Sequence, residues 1–111
     1  MAVIDTVIEE RARRAVSTLG RAAKVRRAYL FGSCIEGTAD TYSDIDLAVF
    51  IEGLEEWDLA KMAKTSAAVQ KEVGDDVELH YFPAAQLSNP QTASFAAFVI
   101  SHGRSIAVDN S

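Results

Sequence analysis

The chain has 111 residues, of which 49% are hydrophobic and 24% are charged, and its net charge is −5. This length and composition are typical of one soluble globular domain with a modest core. No apolar run approaches the roughly 20 residues that a transmembrane helix needs. The N-terminus has no charged segment followed by an apolar stretch, so no signal peptide is expected.

Cysteine content and charge distribution indicate the redox compartment and the kind of partner that the chain can bind. A single cysteine, Cys34, excludes an internal disulfide and fits a reducing cytoplasm. Residues 1–27 hold seven Lys/Arg and three acids, whereas residues 28–111 hold four Lys/Arg and thirteen acids. The acidic second part argues against direct DNA binding. The basic first part could meet an acidic partner, although a solvated helix face is the simpler interpretation.

The first half of the chain predicts one helix and two strands. Apolar residues at helical spacing predict a helix over 3–19, and Gly20 is a plausible stop. The run 25–31 reads as a strand and 34–43 as a loop. Residues 45–51 form a second, almost continuously apolar strand, which suits a central buried position in a sheet.

The second half predicts further elements of both kinds. They are a helix over 57–73, a strand over 77–82 that Pro83 stops, a helix over 90–101 with Asn89 as N-cap, and a short edge strand over 105–108. Helical spacing puts Leu59 on the same face of its helix as Val69 and Val73. In the last helix it predicts burial of Phe95, Phe98 and Val99. The order of elements predicts an α+β fold, in which a small mixed sheet carries helices on one face.

Two acids open the second strand. Asp44 and Asp46 are one residue apart, so their side chains point to the same face of the strand. Adjacent carboxylates repel each other unless a cation lies between them. Mg²⁺ is the obvious cation, because it takes one or two carboxylates and completes its shell with water and substrate phosphate. The Gly32-Ser33 turn could donate backbone N–H groups to such a phosphate.

The third strand offers another acid. Glu78 can complete a triad with Asp44 and Asp46 if the second and third strands are neighbours. Three carboxylates suit two divalent ions about 4 Å apart, which promote in-line phosphoryl transfer. Asp76 lies one strand repeat before Glu78 and could substitute for it. His80 shares their face and could line the site, although a structural role is favoured.

These residues carry a family resemblance. Gly32-Ser33, ten residues and then Asp44-Ile45-Asp46 resemble the nucleotidyltransferase signature of the DNA polymerase β-like superfamily, and the chain is similar to its smallest branch, the minimal nucleotidyltransferases. The resemblance covers roughly residues 20–108, including the closing segment 102–106. It implies a polymerase β palm-like fold in a single domain over 1–111, with its core at about 20–108.

The resemblance also implies roles for individual residues. The reaction would transfer a nucleoside monophosphate from an NTP to a hydroxyl and release pyrophosphate, with two Mg²⁺ ions. Glu78 stands where the family commonly has Asp, and its extra methylene alters the metal geometry. The implied catalytic and metal-binding residues are Asp44, Asp46 and Glu78, and the implied nucleotide-binding residues are Gly32, Ser33, Gly37 and Ser43.

The loop between the glycine and the acids departs from the family pattern. Relatives often carry arginines there, whereas this chain has Cys34, Glu36 and Asp40. Fewer cations beside a triphosphate should weaken NTP binding, because charge-assisted contacts are the stronger ones. Arg26 or Arg27, the basic first helix, or a partner could supply the missing charge.

Free-standing modules of this branch are commonly encoded beside small helical HEPN toxins, and relatives transfer AMP from ATP to a tyrosine of the toxin. The resemblance therefore implies an antitoxin that adenylylates a HEPN-type partner protein. Two alternatives stay open, namely a non-catalytic binding antitoxin and a small-molecule nucleotidyltransferase similar to the aminoglycoside enzymes. A homodimer is plausible for so small a sheet with open edges.

Overall fold

The computed structural model describes residues 6–31, 45–88, 95–106 and 108. The strands are β1 (Val25–Phe31), β2 (Ile45–Ile51), β3 (Val77–Pro83) and β4 (Arg104–Ile106). The helices are α1 (Thr6–Gly20), α2 (Leu59–Val73), α3 (Ala85–Ser88) and α4 (Phe95–His102), and a 3₁₀ turn spans Leu54–Glu56. Among these described helices, none combines the length and apolar composition that crossing a bilayer requires.

The four strands form one mixed sheet in the order β3-β2-β1-β4. β1 is antiparallel to both β2 and β4, whereas β2 and β3 run parallel. A parallel pair needs a crossover connection, which the 3₁₀ turn and α2 supply between β2 and β3. The predicted α+β class with a small mixed sheet is confirmed.

β2 is buried on both faces because helices cover both sides of the sheet. Ile45, Leu47, Val49 and Ile51 belong to the core cluster that includes residues of α1 and α2. Ala48 and Phe50 belong to a second cluster with Val99 of α4. The two long helices share one face as predicted, but α4 packs on the other. Burial on both faces explains why the residues of β2 that follow Asp46 form an unbroken apolar run.

Two large apolar side chains on the described helices, those of Leu59 and Phe98, are exposed. Asp58 is the N-cap of α2 and its side chain accepts a hydrogen bond from the Lys61 N–H at 2.7 Å. Leu59 is therefore in the first turn, where it is 82% exposed, whereas Val69 and Val73, which share its predicted helix face, are buried. Phe98 is 44% exposed and stacks on His102, so its predicted burial is wrong, whereas Val99 is fully buried as predicted. The expected N-cap at residue 89 lies outside the described residues.

Candidate functional site

The sheet register brings two acids side by side. Asp46 of β2 is paired with Phe31 of β1 on one side and with Glu78 of β3 on the other. Its neighbours Ile45 and Leu47 point into the core, so the alternation of the strand sends Asp46 to the opposite face. The sequence predicted this adjacency on condition that β2 and β3 are neighbours, and the parallel pairing meets that condition.

A histidine joins the two carboxylates. Asp46, Glu78 and His80 each have a potential ligand atom within 4.8 Å of the others. His80 Nε2 lies 3.3 Å from Asp46 Oδ1. The side chains of Asp46 and His80 are 24% and 30% exposed, and Glu78 is exposed. We call these three residues the acid–imidazole cluster, and a substrate can approach it from solvent.

The imidazole of His80 packs against a buried aromatic ring. Phe31 is 7% exposed, and its ring centroid lies 5.1 Å from that of His80 at an interplanar angle of 65°. This edge-on contact is a favourable aromatic geometry. Since Phe31 is also the strand partner of Asp46, it limits how far the imidazole can turn away from the carboxylate. Alternation along β3 predicted that His80 lies on this face, but the sequence pattern favoured a structural role for it over a role in the site.

Asp76 has a different role from the one considered for it. Both of its carboxylate oxygens accept hydrogen bonds from the guanidinium of Arg11 on α1. This contact lowers the pKa of Asp76 and raises that of Arg11. The backbone carbonyl of Asp76 accepts the Ile45 N–H at 2.8 Å. Asp76 therefore anchors the start of β2 and β3, and it does not belong to the acid–imidazole cluster.

The arginines suggested as substitutes for loop cations lie at the far end of β1. Arg26 pairs with Glu52 at 3.7 Å. Arg27 is opposite Phe50 in the register, and the four residues from there to Phe31 span about 13 Å of strand. Neither guanidinium is thus beside the cluster. On α1, Arg11 is committed to Asp76, and Arg14 donates to the Glu72 carbonyl at 3.2 Å.

The segment before β2 carries most of the other predicted site residues. The segment 32–44 joins β1 to β2, whose adjoining ends carry Phe31 and Asp46. Of the predicted metal-binding acids, Asp46 and Glu78 are therefore brought together. The predicted site residues that lie outside the described residues are Gly32, Ser33, Gly37, Ser43 and Asp44.

The donor set of the cluster fits a divalent cation. Two carboxylates supply the oxygen ligands that Mg²⁺ accepts, and an imidazole nitrogen is a ligand for transition ions. Two atoms bound to one ion at about 2.1 Å each lie roughly 3 to 4.2 Å apart. The separation of 3.3 Å between His80 Nε2 and Asp46 Oδ1 falls within that range. A bound ion would also offset the repulsion between the two carboxylates.

Comparison with known proteins agrees with this geometry. The sequence profile of the family described as Polymerase beta, Nucleotidyltransferase matches residues 14–110. No curated protein sequence gives a significant match. The matched region contains all four strands and every residue of the acid–imidazole cluster. Because the match covers most of the chain, the protein belongs to the polymerase β-type nucleotidyltransferase family.

Proposed function

We propose that this protein transfers a nucleoside monophosphate, AMP from ATP, to a hydroxyl of a partner protein, and that it acts as the antitoxin of a HEPN-type toxin. The observation that carries the transferase part is the pairing of Asp46 with Glu78 across β2 and β3. Two solvent-accessible carboxylates at one register position form the acidic part of an ion site. The family to which the chain belongs provides the reaction type.

The transfer is an in-line displacement. The acceptor oxygen forms a bond to the α-phosphorus of ATP, the bond from that phosphorus to the bridging oxygen breaks, and pyrophosphate leaves with the electron pair. Bound Mg²⁺ would lower the pKa of the acceptor hydroxyl and neutralise charge on the triphosphate. Asp46 and Glu78, with Asp44, would hold the ions, and a carboxylate would accept the hydroxyl proton. Backbone N–H groups at Gly32 and Ser33 would bind the terminal phosphates.

The openness of the site supports a protein acceptor. Glu78 is exposed and Asp46 is about one-quarter exposed, so a tyrosine on another chain can reach the cluster. The sequence resemblance to the minimal branch supports the same choice of acceptor. Gly37 and Ser43 would support the loop beneath the nucleotide.

The test is an intact-mass assay of the two chains together. The protein is co-expressed with the product of its neighbouring gene and incubated with Mg²⁺ and each NTP in turn. We expect the partner to gain the mass of AMP with ATP. Asp46→Asn and Glu78→Gln should abolish the addition, because each removes a carboxylate from the ion site.

Matched controls separate loss of the site from general loss of charge. Asp75 and Glu55 are exposed acids away from the cluster, so Asp75→Asn and Glu55→Gln should leave the transfer intact. Two results together would favour the non-catalytic antitoxin. The complex is stable but gains no nucleotide, and the Asp44→Asn/Asp46→Asn double variant still neutralises the toxin. Transfer to an aminoglycoside but not to the partner would favour the small-molecule enzyme.

A further inference from the structure

The acid–imidazole cluster contains a ligand type that a pure carboxylate site lacks. His80 follows Glu78 by two residues and shares its face of β3. Its register partner on β2 is Ala48, whose side chain is a single methyl group. In this arrangement the Nε2 atom of His80 lies 3.3 Å from Asp46 Oδ1.

The cluster has the spacing of ligands around a single ion. The ligand atoms of all three residues lie within 4.8 Å of one another, which is close to the roughly 4.2 Å between opposite ligands of one ion. Side-chain movements of a few tenths of an ångström would bring the three ligand atoms to the spacing found around one ion. The ring of Phe31 already restrains His80, so little side-chain entropy is lost when the imidazole binds an ion.

Ligand chemistry decides which ion such a site prefers. Mg²⁺ favours oxygen ligands and keeps several waters. Imidazole nitrogen suits zinc, copper, iron and nickel, and affinity for mixed nitrogen and oxygen sites rises along the first transition row. Carboxylate oxygen and imidazole nitrogen are both zinc ligands, and open zinc sites use three protein ligands, which is the number that this cluster offers.

We propose that the ion position formed by Asp46, Glu78 and His80 is selective for a first-row transition ion such as Zn²⁺ over Mg²⁺, with His80 Nε2 as the nitrogen ligand. This deepens the proposed function and rests on it, because it adds a nitrogen ligand at one ion position of the same site. It also makes that position sensitive to transition ions that compete with Mg²⁺.

The test measures ion binding by the full chain without nucleotide or partner. The protein is treated with a chelator, and Zn²⁺ and Mg²⁺ affinities are determined by calorimetry. We expect the wild-type protein to bind Zn²⁺ at least 100-fold more tightly than Mg²⁺. His80→Gln should weaken Zn²⁺ binding at least tenfold and change Mg²⁺ binding less than twofold. His102→Gln is the matched control, since His102 lies on α4 and not in the cluster, and it should bind both ions as wild type does.

A second measurement needs no variant, which matters because His80 packs on Phe31. The chain has two histidines, so the two imidazoles can be followed separately by ¹H–¹⁵N NMR during a Zn²⁺ titration. The nitrogen signals of His80 should shift and those of His102 should not. Equal Zn²⁺ affinity in wild type and His80→Gln, or unshifted His80 signals on Zn²⁺ binding, would overturn the proposal.

The outcome is independent of the transfer assay. A chain that binds Zn²⁺ through His80 but transfers no nucleotide keeps this inference and loses the proposed function. A chain that transfers AMP with Mg²⁺ and shows no dependence of Zn²⁺ affinity on His80 keeps the function and loses this inference.

Discussion

Arg11 of α1 and Asp76, which precedes β3, form a two-pronged ion pair across 65 residues of sequence. The same guanidinium also donates to the Val73 carbonyl at the end of α2, at 2.6 Å from Nη2 and 3.2 Å from Nε. One side chain thus joins the first helix to the turn that leads into the strand of Glu78. Asp76 in turn accepts the first backbone hydrogen bond of β2.

Arg11→Ala should destabilise the fold. The Arg11 and Asp76 side chains are 27% and 34% exposed, so solvent screens part of the interaction. We expect the free energy of unfolding to fall by about 1–2 kcal/mol, below the upper range for charged hydrogen bonds. Urea denaturation measures the change. Arg13→Ala is the control, because Arg13 is 62% exposed and pairs with Glu9 on its own helix, and it should cost under about 0.5 kcal/mol. Equal losses in the two variants would contradict the assignment.

The same pair predicts a dependence of stability on acid. Hydrogen bonds from Arg11 hold the pKa of Asp76 below its ordinary value of 3.8. The folded state therefore binds this proton less tightly than the unfolded state does. The stability that the pair contributes is fully present above pH 3.8, and it is lost as the pH falls through the lowered folded-state pKa.

Urea midpoints at pH 6 and pH 2.5 test this dependence. The difference between wild type and Asp76→Asn should be large at pH 6 and should shrink at pH 2.5, because the carboxyl of the unfolded wild-type chain is protonated below pH 3.8. A difference that is constant with pH would mean that the charge of Asp76 does not contribute to stability.

Gly74 is constrained by the same ion pair. Its φ of 120° is strained for any residue with a side chain, and an added Cβ would lie 2.8 Å from Asp76 Oδ1 and closer still to the Arg11 guanidinium. Gly74→Ala should therefore lower the free energy of unfolding by about 1–3 kcal/mol. In an Arg11→Ala background the loss should be smaller, because part of the clash is gone. Gly53→Ala is the comparison, since φ there is 76° but no atom lies within 4 Å of the added Cβ. If the losses of Gly74→Ala and Arg11→Ala add in the double variant, the contact between the added Cβ and the Arg11 guanidinium does not contribute to the loss.

Substitutions in the acid–imidazole cluster should separate activity from stability. Asp46→Asn and Glu78→Gln should each lower the rate of nucleotide transfer by about 100-fold or more, because ion binding provides several kcal/mol of transition-state stabilisation. Without added metal, their free energy of unfolding should equal or exceed that of wild type, since like charges are removed. Single-turnover rates and urea curves provide the two readouts. A variant that loses activity and stability together would indicate a structural role for that acid.

The predicted bounds of β1 and β2 agree with the structure. Local pattern was sufficient for these two strands, because an apolar run that follows a helix stop or a pair of acids leaves little choice of where the strand begins and ends. Alternation along β3 likewise predicted that Glu78 shares a face with His80. Local pattern could not predict the Arg11–Asp76 contact, because that contact joins residues that are far apart in sequence. Helical spacing also cannot tell which face of a sheet a helix will cover, so the position of α4 became apparent only from its packing on Phe50.

The parallel register of β2 and β3 determines that Asp46 and Glu78 lie side by side. Moving either strand by one residue against the other would send its acid into the core and bring an apolar neighbour to the surface. By contrast, the crossover between Ile51 and Val77 can change length at the turn near Gly53 without altering which residues face each other. Insertions there are compatible with an intact site, whereas one residue added within either strand separates Asp46 from Glu78.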